Sequence, residues 1–416
     1  MILTVHRGSQ QVGGTCLELS HEGSRLALDV GLPLESVEED VRPRVSGLFA
    51  DDGQQFDGIV LTHAHADHSG LLGATQRQVP IWMTKGTSQM MMAGALFARQ
   101  PDVARERQRM LAPLRPHKIG TFNITAFPVD HSAYGAAALL VEAGGKRLLY
   151  TGDLRFHGRK PGMARQMVAK VSEQPLDMLV IEGTRLDDSS EPFSEAALEE
   201  RLLQDVRQAP TLVLAMYSPL NVDRFVTFCR VAKRAGRILA IDPYQSFVQH
   251  LICRDVKIPA PGAVPWLKAM VPPWHTVSRW CRALKRSLWY RRLIAHGRIE
   301  SAVIRSKPHR YIVLYRPNMT WLFPEGLPAR TRAIFCYWNG YLSQPQLNQF
   351  KDQLIRSGGT LLHRHASGHA TRNDLASLAT QLRPRVLVPV HTNHPQIWEE
   401  LDTATNRTAD GVMITV

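Results

Sequence analysis

One run of nine residues constrains this chain more than any other feature. Residues 62–70 read Thr-His-Ala-His-Ala-Asp-His-Ser-Gly and follow a short apolar segment that predicts a strand. Because alternate residues of an extended chain point to the same side, His63 and His65 can face one metal ion. Asp67 and His68 come after the chain turns and can reach a second ion nearby. Imidazole and carboxylate ligands favour zinc, with manganese or iron as alternatives, whereas a histidine-rich solvated loop is the non-functional interpretation.

The run resembles the HxHxDH signature of the metallo-β-lactamase fold, in which both spacing and residue types match. The resemblance implies an αββα sandwich with a dinuclear metal site at the inner strand ends. It also implies further ligands downstream, each after a strand, and the matching residues are His131, Asp153 and His391. The implied arrangement is one ion held by His63, His65 and His131, a second held by Asp67, His68 and His391, and Asp153 bridging them.

Asp29 resembles the first aspartate of the same family. We expect it to support a metal ligand from behind, since such hydrogen-bonded groups fix the orientation of ligand side chains. The alternative is an ordinary turn residue. The distinction depends on whether Asp29 contacts a ligand.

Composition limits the partners and the compartment. The chain has 416 residues and a formal net charge of +13, so it can bury two cores and favours a polyanionic partner over a neutral one. A generally basic soluble protein is the alternative. Five scattered cysteines without metal-binding spacing predict reduced thiols, and no apolar run approaches the length of a membrane span. We therefore expect a cytoplasmic protein without a membrane partner, and the sequence leaves a homodimer open.

The ligand pattern stops after the first 185 residues or so and resumes near His363, which predicts an inserted domain. We place the metallo-β-lactamase domain at 1–187 and 358–416 and the insertion at 188–357. The insertion alternates helices and strands, which predicts a small α/β domain with a parallel sheet. The predicted elements are helices at 194–208, 221–235 and 343–356 and strands at 211–216, 237–242 and 333–336.

One segment of the insertion differs in character. Residues 256–324 contain thirteen lysines or arginines, a single acidic residue and five tryptophans. Cations interleaved with aromatic rings are typical of a surface that contacts phosphates and stacks bases. The alternative is that the aromatic rings are core and the cations a solvated face. The nucleic-acid-binding candidates in this segment are Lys285, Arg286, Trp289, Arg291 and Arg292.

Three further motifs resemble the β-CASP branch of the metallo-β-lactamase fold. They are Glu182 followed by Thr184, the string Ser-Gly-His that ends at His369, and the final His391. In that branch the insertion caps the core and a nucleic acid enters the cleft between them. Members that act on RNA tend to have histidine at the third motif, so His391 favours single-stranded RNA as the partner. The Ser-Gly-His-Ala string is most similar to ribonuclease J and to relatives of the cleavage and polyadenylation endonuclease.

The implied reaction is hydrolysis of an RNA phosphodiester bond. Two zinc ions, or manganese, would lower the pKa of a bridging water and give a hydroxide in line with phosphorus. The catalytic candidates are Asp67, His369 and Glu182. His369 would contact the scissile phosphate or protonate the leaving oxygen, and Glu182 would orient one of the ligand histidines. Ser218 is a candidate for phosphate contact, with a turn serine as the alternative, and we expect His363, His365 and His394 to be bystanders.

Three other functions compete with this ribonuclease hypothesis. A DNA nuclease would use the same chemistry, but His391 favours RNA. A small-molecule metallohydrolase, such as a lactonase or thioesterase, would not need the insertion or the basic charge. A catalytically inactive nucleic-acid-binding module would not need the complete ligand set.

Overall fold

The structure, a computed structural model, describes residues 1–34, 41–190, 193–270, 295, 297–401 and 405–416. The chain forms two compact units, Met1–Pro192 with Gly368–Val416 and Phe193–Ser367. The chain passes between these units at 192/193 and 367/368, whereas the domain bounds predicted from the sequence are 187/188 and 357/358. The second boundary lies later because residues 360–363 form a strand in the sheet of the second unit.

The first unit contains two sheets, with strands numbered in chain order. The first sheet has the order β20-β1-β2-β3-β4-β5-β6, and the second has the order β19-β11-β10-β9-β8-β7. The strands of the first are β1 (Ile2–Arg7), β2 (Cys16–His21), β3 (Ser24–Val30), β4 (Gly58–Val60), β5 (Ile81–Thr84), β6 (Gln108–Leu111) and β20 (Met413–Thr415). Those of the second are β7 (Pro116–Ile119), β8 (Phe122–Pro128), β9 (Ala137–Ala143), β10 (Lys146–Tyr150), β11 (Met178–Glu182) and β19 (Val386–Val390).

Alternation of side chains along the strands builds a sandwich. Leu148 and Tyr150 of β10 pack in a buried cluster shared with strands of the first sheet, whereas Leu149 between them packs in a second cluster. That second cluster also contains Met167 and Leu378, which belong to helices. A strand with apolar residues on both faces must be covered on both sides, so the second sheet lies between the first sheet and helices. The predicted αββα sandwich is confirmed.

Short helices connect the strands of the first unit. Their bounds are Ala66–Ser69, Lys85–Phe97, Gly162–Val171, Arg372–Leu382 and Ile397–Leu401. The helix Arg372–Leu382 starts at a capping box, in which Thr371 and Asp374 satisfy each other's backbone amides. No helix among the described residues is both long and apolar enough to cross a bilayer.

The second unit is built on one parallel sheet, as the alternation of elements predicted. The order is β15-β14-β13-β16-β12-β17-β18. Its strands are β12 (Val213–Met216), β13 (Ile238–Ile241), β14 (Leu267–Met270), β15 (Arg298–Ile299), β16 (Tyr311–Leu314), β17 (Arg332–Phe335) and β18 (Thr360–His363). Its helices are Glu195–Arg207, Val222–Ala235, Pro243–Ile252, Ser301–Ser306 and Asn348–Arg356.

The helix ends of the second unit largely follow the sequence signals. Ser194 caps the first helix by accepting a hydrogen bond from the amide of Ala197, and Gly236 ends the second in a left-handed conformation with φ of 67°. The helix predicted at 343–356 is shorter, because Pro345 cannot continue an α-helix from its N-terminal side. Residues there form 3-10 turns instead, and the α-helix begins at Asn348.

The basic segment 256–324 is only partly described. Lys285, Arg286, Trp289, Arg291 and Arg292 lie outside the described residues. The described part supplies β14, β15 and β16 to the sheet, and Trp321 packs against the hydrophobic core of this unit. For Trp321, the interpretation of the aromatic rings as core is the one that fits.

Candidate metal centre

The candidate ligands meet because the strands that precede them end at one edge. β10, β11 and β19 are parallel neighbours, and β8 runs in the same direction two strands away. His131, Asp153 and His391 follow β8, β10 and β19, and Glu182 is the last residue of β11. In the facing sheet, His63 and the residues after it follow β4. The seven predicted ligands therefore converge on one edge of the sandwich.

The first group consists of His63, His65 and His131. Nδ1 of His65 lies 3.2 Å from Nε2 of His63 and 3.1 Å from Nε2 of His131. Three imidazole nitrogens that point at one another in this way surround a common centre. This arrangement suits a cation that takes nitrogen ligands.

The second group consists of Asp67, His68, Asp153 and His391. Nε2 of His391 lies 3.6 Å from a carboxylate oxygen of Asp67 and 4.0 Å from Oδ1 of Asp153. Nε2 of His68 lies 3.3 Å from Oδ2 of Asp153. All but Asp67 are buried.

Asp153 lies between the two groups. Its Oδ2 is 3.6 Å from Nε2 of His63 and 3.8 Å from Nε2 of His131, in addition to its contacts with the second group. One carboxylate thus reaches nitrogen atoms of both groups. Asp153 therefore lies where it could reach two cations, and its bridging role stays a prediction.

The site contains buried polar atoms that the protein does not satisfy. Nε2 of His68, Nε2 of His391 and both carboxylate oxygens of Asp153 have no partner in hydrogen-bonding geometry. Buried polar atoms are almost always paired, so a cluster of exceptions needs an explanation. Cations coordinated by these atoms would satisfy them, and the donor set fits zinc.

The opposite nitrogens of the ligand imidazoles are held by the protein. Nδ1 of His131 contacts the carbonyl of Gly368 at 2.6 Å, and Nδ1 of His391 contacts Oγ1 of Thr15 at 2.8 Å. Nδ1 of His63 contacts Oγ1 of Thr62 at 3.1 Å. Such contacts fix each ring with Nε2 facing inward, as expected for ligand histidines.

Asp29 is connected to the second group. Its Oδ2 lies 2.8 Å from Nδ1 of His68 and accepts hydrogen bonds from the hydroxyls of Tyr150 and Thr62, and its Oδ1 accepts from the amide of Thr62. Asp29 is completely buried. These contacts place it where a residue that orients His68 would lie.

The protonation states of the histidines suit metal binding. Burial, and then the neighbouring imidazoles, hold the pKa of His63 well below its usual value, and burial does the same for His131. Neutral imidazole is the form that binds metal ions. Burial also lowers the pKa of His68, but Asp153 and Asp29 outweigh it and raise the pKa well above the usual value. Metal binding at His68 would release that proton.

Two site residues have backbones in the left-handed region, with φ of 56° at Asp29 and 53° at His391. Residues with a side chain are disfavoured there, and such conformations concentrate at functional sites. Gly152, immediately before Asp153, has φ of 51°, and a Cβ atom there would lie 2.7 Å from the side chain of Thr62. The approach to Asp153 therefore requires glycine.

Glu182 contacts His369, and the two form with Asp153 a third cluster that could hold a metal ion. Its Oε2 lies 2.9 Å from Nδ1 of His369, and its Oε1 accepts a hydrogen bond from the amide of Leu154. Nδ1 of His369 is also 3.7 Å from Asp153. Burial lowers the pKa of His369, but Glu182 and then Asp153 raise it to about 9 overall. Among the described histidines, Glu182 therefore contacts the catalytic candidate His369, and the expectation that it orients a ligand histidine stays a prediction.

The other candidates lie elsewhere. Ser218 accepts a hydrogen bond from the amide of Leu220 within the second unit, which is the contact of a turn serine. His363 and His365 contact backbone carbonyls, and His394 lies 3.5 Å from Asp187. None of these three histidines joins a cluster of metal-ligating side chains among the described residues.

Sequence reasoning missed the residues that hold the ligands in place. Thr62 directly precedes His63 and Tyr150 ends the strand before Asp153, so their neighbourhood was a usable signal. Thr15 precedes β2, far from any ligand in the sequence, and nothing in the sequence pointed to it. Gly368 lies within a recognised motif, but it holds His131 through its backbone carbonyl, which the motif does not reveal. It also has no room for a side chain, since a Cβ atom would lie 2.5 Å from Oγ of Ser132.

Two family profiles match the chain. One, described as a beta-lactamase superfamily domain, matches residues 39–216. The other, described as a Zn-dependent metallo-hydrolase RNA specificity domain, matches residues 363–397. Together they include all of the candidate ligands, from His63 to His391.

Two relatives that match most of this chain are named ribonuclease J. Ribonuclease J of Mycobacterium tuberculosis strain H37Rv is 23% identical over 412 residues, covering 94% of this chain and 68% of the relative. Ribonuclease J of Pyrococcus abyssi is 21% identical over 441 residues, covering 94% and 91%. A solved protein of unknown function from Enterococcus faecalis V583 superposes with a TM-score of 0.77 at 20% identity, over 100% of this chain and 99% of the other, and shows that the fold is shared.

Proposed function

Because this chain is a metallo-β-lactamase-fold protein that resembles the β-CASP nucleases, we propose that it is a metal-dependent ribonuclease. The observation that carries the proposal is the pair of ligand groups around Asp153, whose buried polar atoms are unsatisfied without cations. The match to an RNA specificity domain and the similarity to ribonuclease J support RNA as the substrate.

Two zinc ions fit the donor set. His63, His65 and His131 would hold one, Asp67, His68 and His391 would hold the other, and Asp153 would be shared. When bound, such a pair would lower the pKa of a water molecule toward neutral pH and would offset the charge of a phosphodiester. Manganese is the alternative metal.

His369 supplies the proton in this proposal. Its Nδ1 donates to Oε2 of Glu182, which fixes the ring and directs Nε2 toward the substrate. A protonated His369 would contact the scissile phosphate and transfer the Nε2 proton to the leaving oxygen. Glu182, itself held by the amide of Leu154, is a positioning residue for this ring.

The test is a cleavage assay on labelled single-stranded RNA, single-stranded DNA and duplex RNA of one sequence. We expect cleavage of single-stranded RNA that stops with a chelator and returns with zinc or manganese. A His65→Ala variant should lose cleavage, whereas His363→Asn, at an exposed histidine outside the site, should retain it. Cleavage that survives chelation or His65→Ala would overturn the proposal, and equal cleavage of DNA would remove the preference for RNA.

A further inference from the structure

The first unit exposes a cation, Lys160, whose backbone amide is hydrogen-bonded to Asp130, the residue before the candidate ligand His131. We propose, resting on the proposed function, that Lys160 binds a backbone phosphate of single-stranded RNA next to the scissile bond, and that Tyr134 positions its side chain. Neither was a candidate from the sequence.

The backbone of Lys160 is fixed one residue away from a ligand. Asp130, which precedes His131, accepts a hydrogen bond from the amide of Lys160 at 2.6 Å. The other carboxylate oxygen of Asp130 pairs with Nε of Arg155 at 2.9 Å, and both of these side chains are buried. The segment after Asp153 is thereby locked to the segment that carries His131. Lys160 cannot move far from the metal centre without breaking these bonds.

Tyr134 is fixed in the same neighbourhood. The carbonyl of Gly135 accepts hydrogen bonds from Oγ1 of Thr84 at 2.7 Å and Oγ1 of Thr87 at 3.1 Å. Gly86 approaches Gly135 so closely that a Cβ atom on Gly86 would lie 2.6 Å from its Cα. These contacts hold the loop that joins His131 to Tyr134.

The ring of Tyr134 and the ammonium of Lys160 interact directly. Nζ of Lys160 lies 5.8 Å from the ring centroid, the range of a cation–π contact. A cation–π contact at an exposed position is weak, so it orients the ammonium without preventing it from binding a phosphate. Lys160 itself is exposed.

The charge around Lys160 suits a polyanion. Residues 154–170 contain five lysines or arginines and no aspartate or glutamate. Arg155 is paired with Asp130 and Lys170 with Glu173, but Lys160 takes part in no ion pair within the part of the chain that the structure describes. An ammonium without an ion pair, on a segment hydrogen-bonded to the residue before His131, is suited to a substrate phosphate. Because it recognises phosphate rather than base, it would add affinity without sequence preference.

The first test measures RNA binding in chelator, where no cleavage occurs. For Lys160→Gln we expect about fivefold weaker binding of a single-stranded RNA oligonucleotide. The slope of log affinity against log salt should also fall by about 0.7, the value for one contact to a single strand. Lys170→Gln is the matched control, since it removes an exposed lysine of the same unit. If the two variants bind RNA alike, the inference is wrong, whether or not the protein proves to be a nuclease.

The second test separates binding from chemistry. With metal restored, Lys160→Gln should raise KM for RNA about fivefold with little change in kcat, and should not change hydrolysis of a small phosphodiester without flanking nucleotides. Tyr134→Ala should raise KM in part, and Tyr134→Phe, which keeps the ring, should restore it. A fall in kcat on the small phosphodiester would show that Lys160 acts in the metal centre rather than on a flanking phosphate. Absence of RNA cleavage by the wild type would refute the proposed function alone, because the binding test stands without it.

Discussion

Oε2 of Glu182 lies 2.9 Å from Nδ1 of His369, and Oε1 of the same carboxylate accepts a hydrogen bond from the amide of Leu154. A ring held in this way has one defined tautomer and one orientation. In the function proposed above, the Glu182 carboxylate supports the proton donor, although it also belongs with His369 and Asp153 to a cluster that could hold a metal ion.

Glu182→Gln should lower kcat for RNA by about 100-fold, because the amide can keep the bond to Leu154 but no longer accepts the proton at Nδ1 of His369. The zinc content, measured by mass spectrometry of the purified protein, should equal that of the wild type. Glu173→Gln, at an exposed glutamate, should change neither quantity. Loss of zinc from Glu182→Gln would show that the residue supports the metal site after all.

Asp29→Asn should weaken zinc binding by about 10- to 100-fold, since it removes the charge that orients His68. Asparagine tolerates the left-handed backbone of this position, where φ is 56°, so the change tests the hydrogen bonds rather than the backbone. The measurement is a competition titration against a chromophoric chelator. Tyr150→Phe, which removes one of the hydrogen bonds to Asp29, should have a smaller effect. Unchanged zinc affinity in Asp29→Asn would contradict the role assigned to it.

Zinc should raise the melting temperature of the unit that contains the site. Binding to the folded state alone adds about 2.7 kcal/mol when zinc is at 100 times its dissociation constant, which corresponds to a rise of about 5–10 °C. Asp153→Asn should abolish most of this rise, and His363→Asn should retain it. The comparison is made by calorimetry with and without zinc. An equal rise in Asp153→Asn would place the zinc elsewhere.

The second unit should lose stability at mildly acidic pH. Burial, and then the charge of Arg224, lowers the pKa of His365 to about 4, so the folded unit keeps this ring neutral. The unfolded chain takes up a proton below about pH 6.5, so the stability is full above that pH and declines as the pH falls toward 4. In chelator, the difference in urea midpoint between pH 7.5 and pH 5 should be smaller for His365→Asn than for the wild type. An equal difference in both proteins would show that His365 does not contribute.

Much of the metal site follows from the sequence because strand ends determine it. His63 and His65 follow an apolar strand, and His131, Asp153 and His391 each follow another, so parallel strands bring them together. Contacts that depend on how two sheets face each other could not be predicted from the sequence. Thr15 reaches His391 only because β2 and β19 belong to facing sheets.

The other differences between the sequence predictions and the structure have local causes. Glu182 was recognised from a motif. Its contact with His369 depends on side-chain geometry, which a motif does not give. The helix predicted at 343–356 was started two residues before Pro345, which lacks the amide that an α-helix needs there, and the helix begins only at Asn348. The boundary at 357/358 was set before β18, because a strand whose neighbours are distant in sequence gives no local signal of which sheet it joins.

We propose that two ligand groups sharing Asp153 form a metal centre that cleaves RNA. The most direct measurement is the rate of single-stranded RNA cleavage as zinc is added to metal-free protein, with the bound zinc counted in parallel. We predict a rate that rises from zero and reaches its plateau at two zinc ions per chain, and an Asp153→Asn variant that stays inactive across the titration. Full cleavage by the metal-free protein, or by Asp153→Asn, would contradict the account.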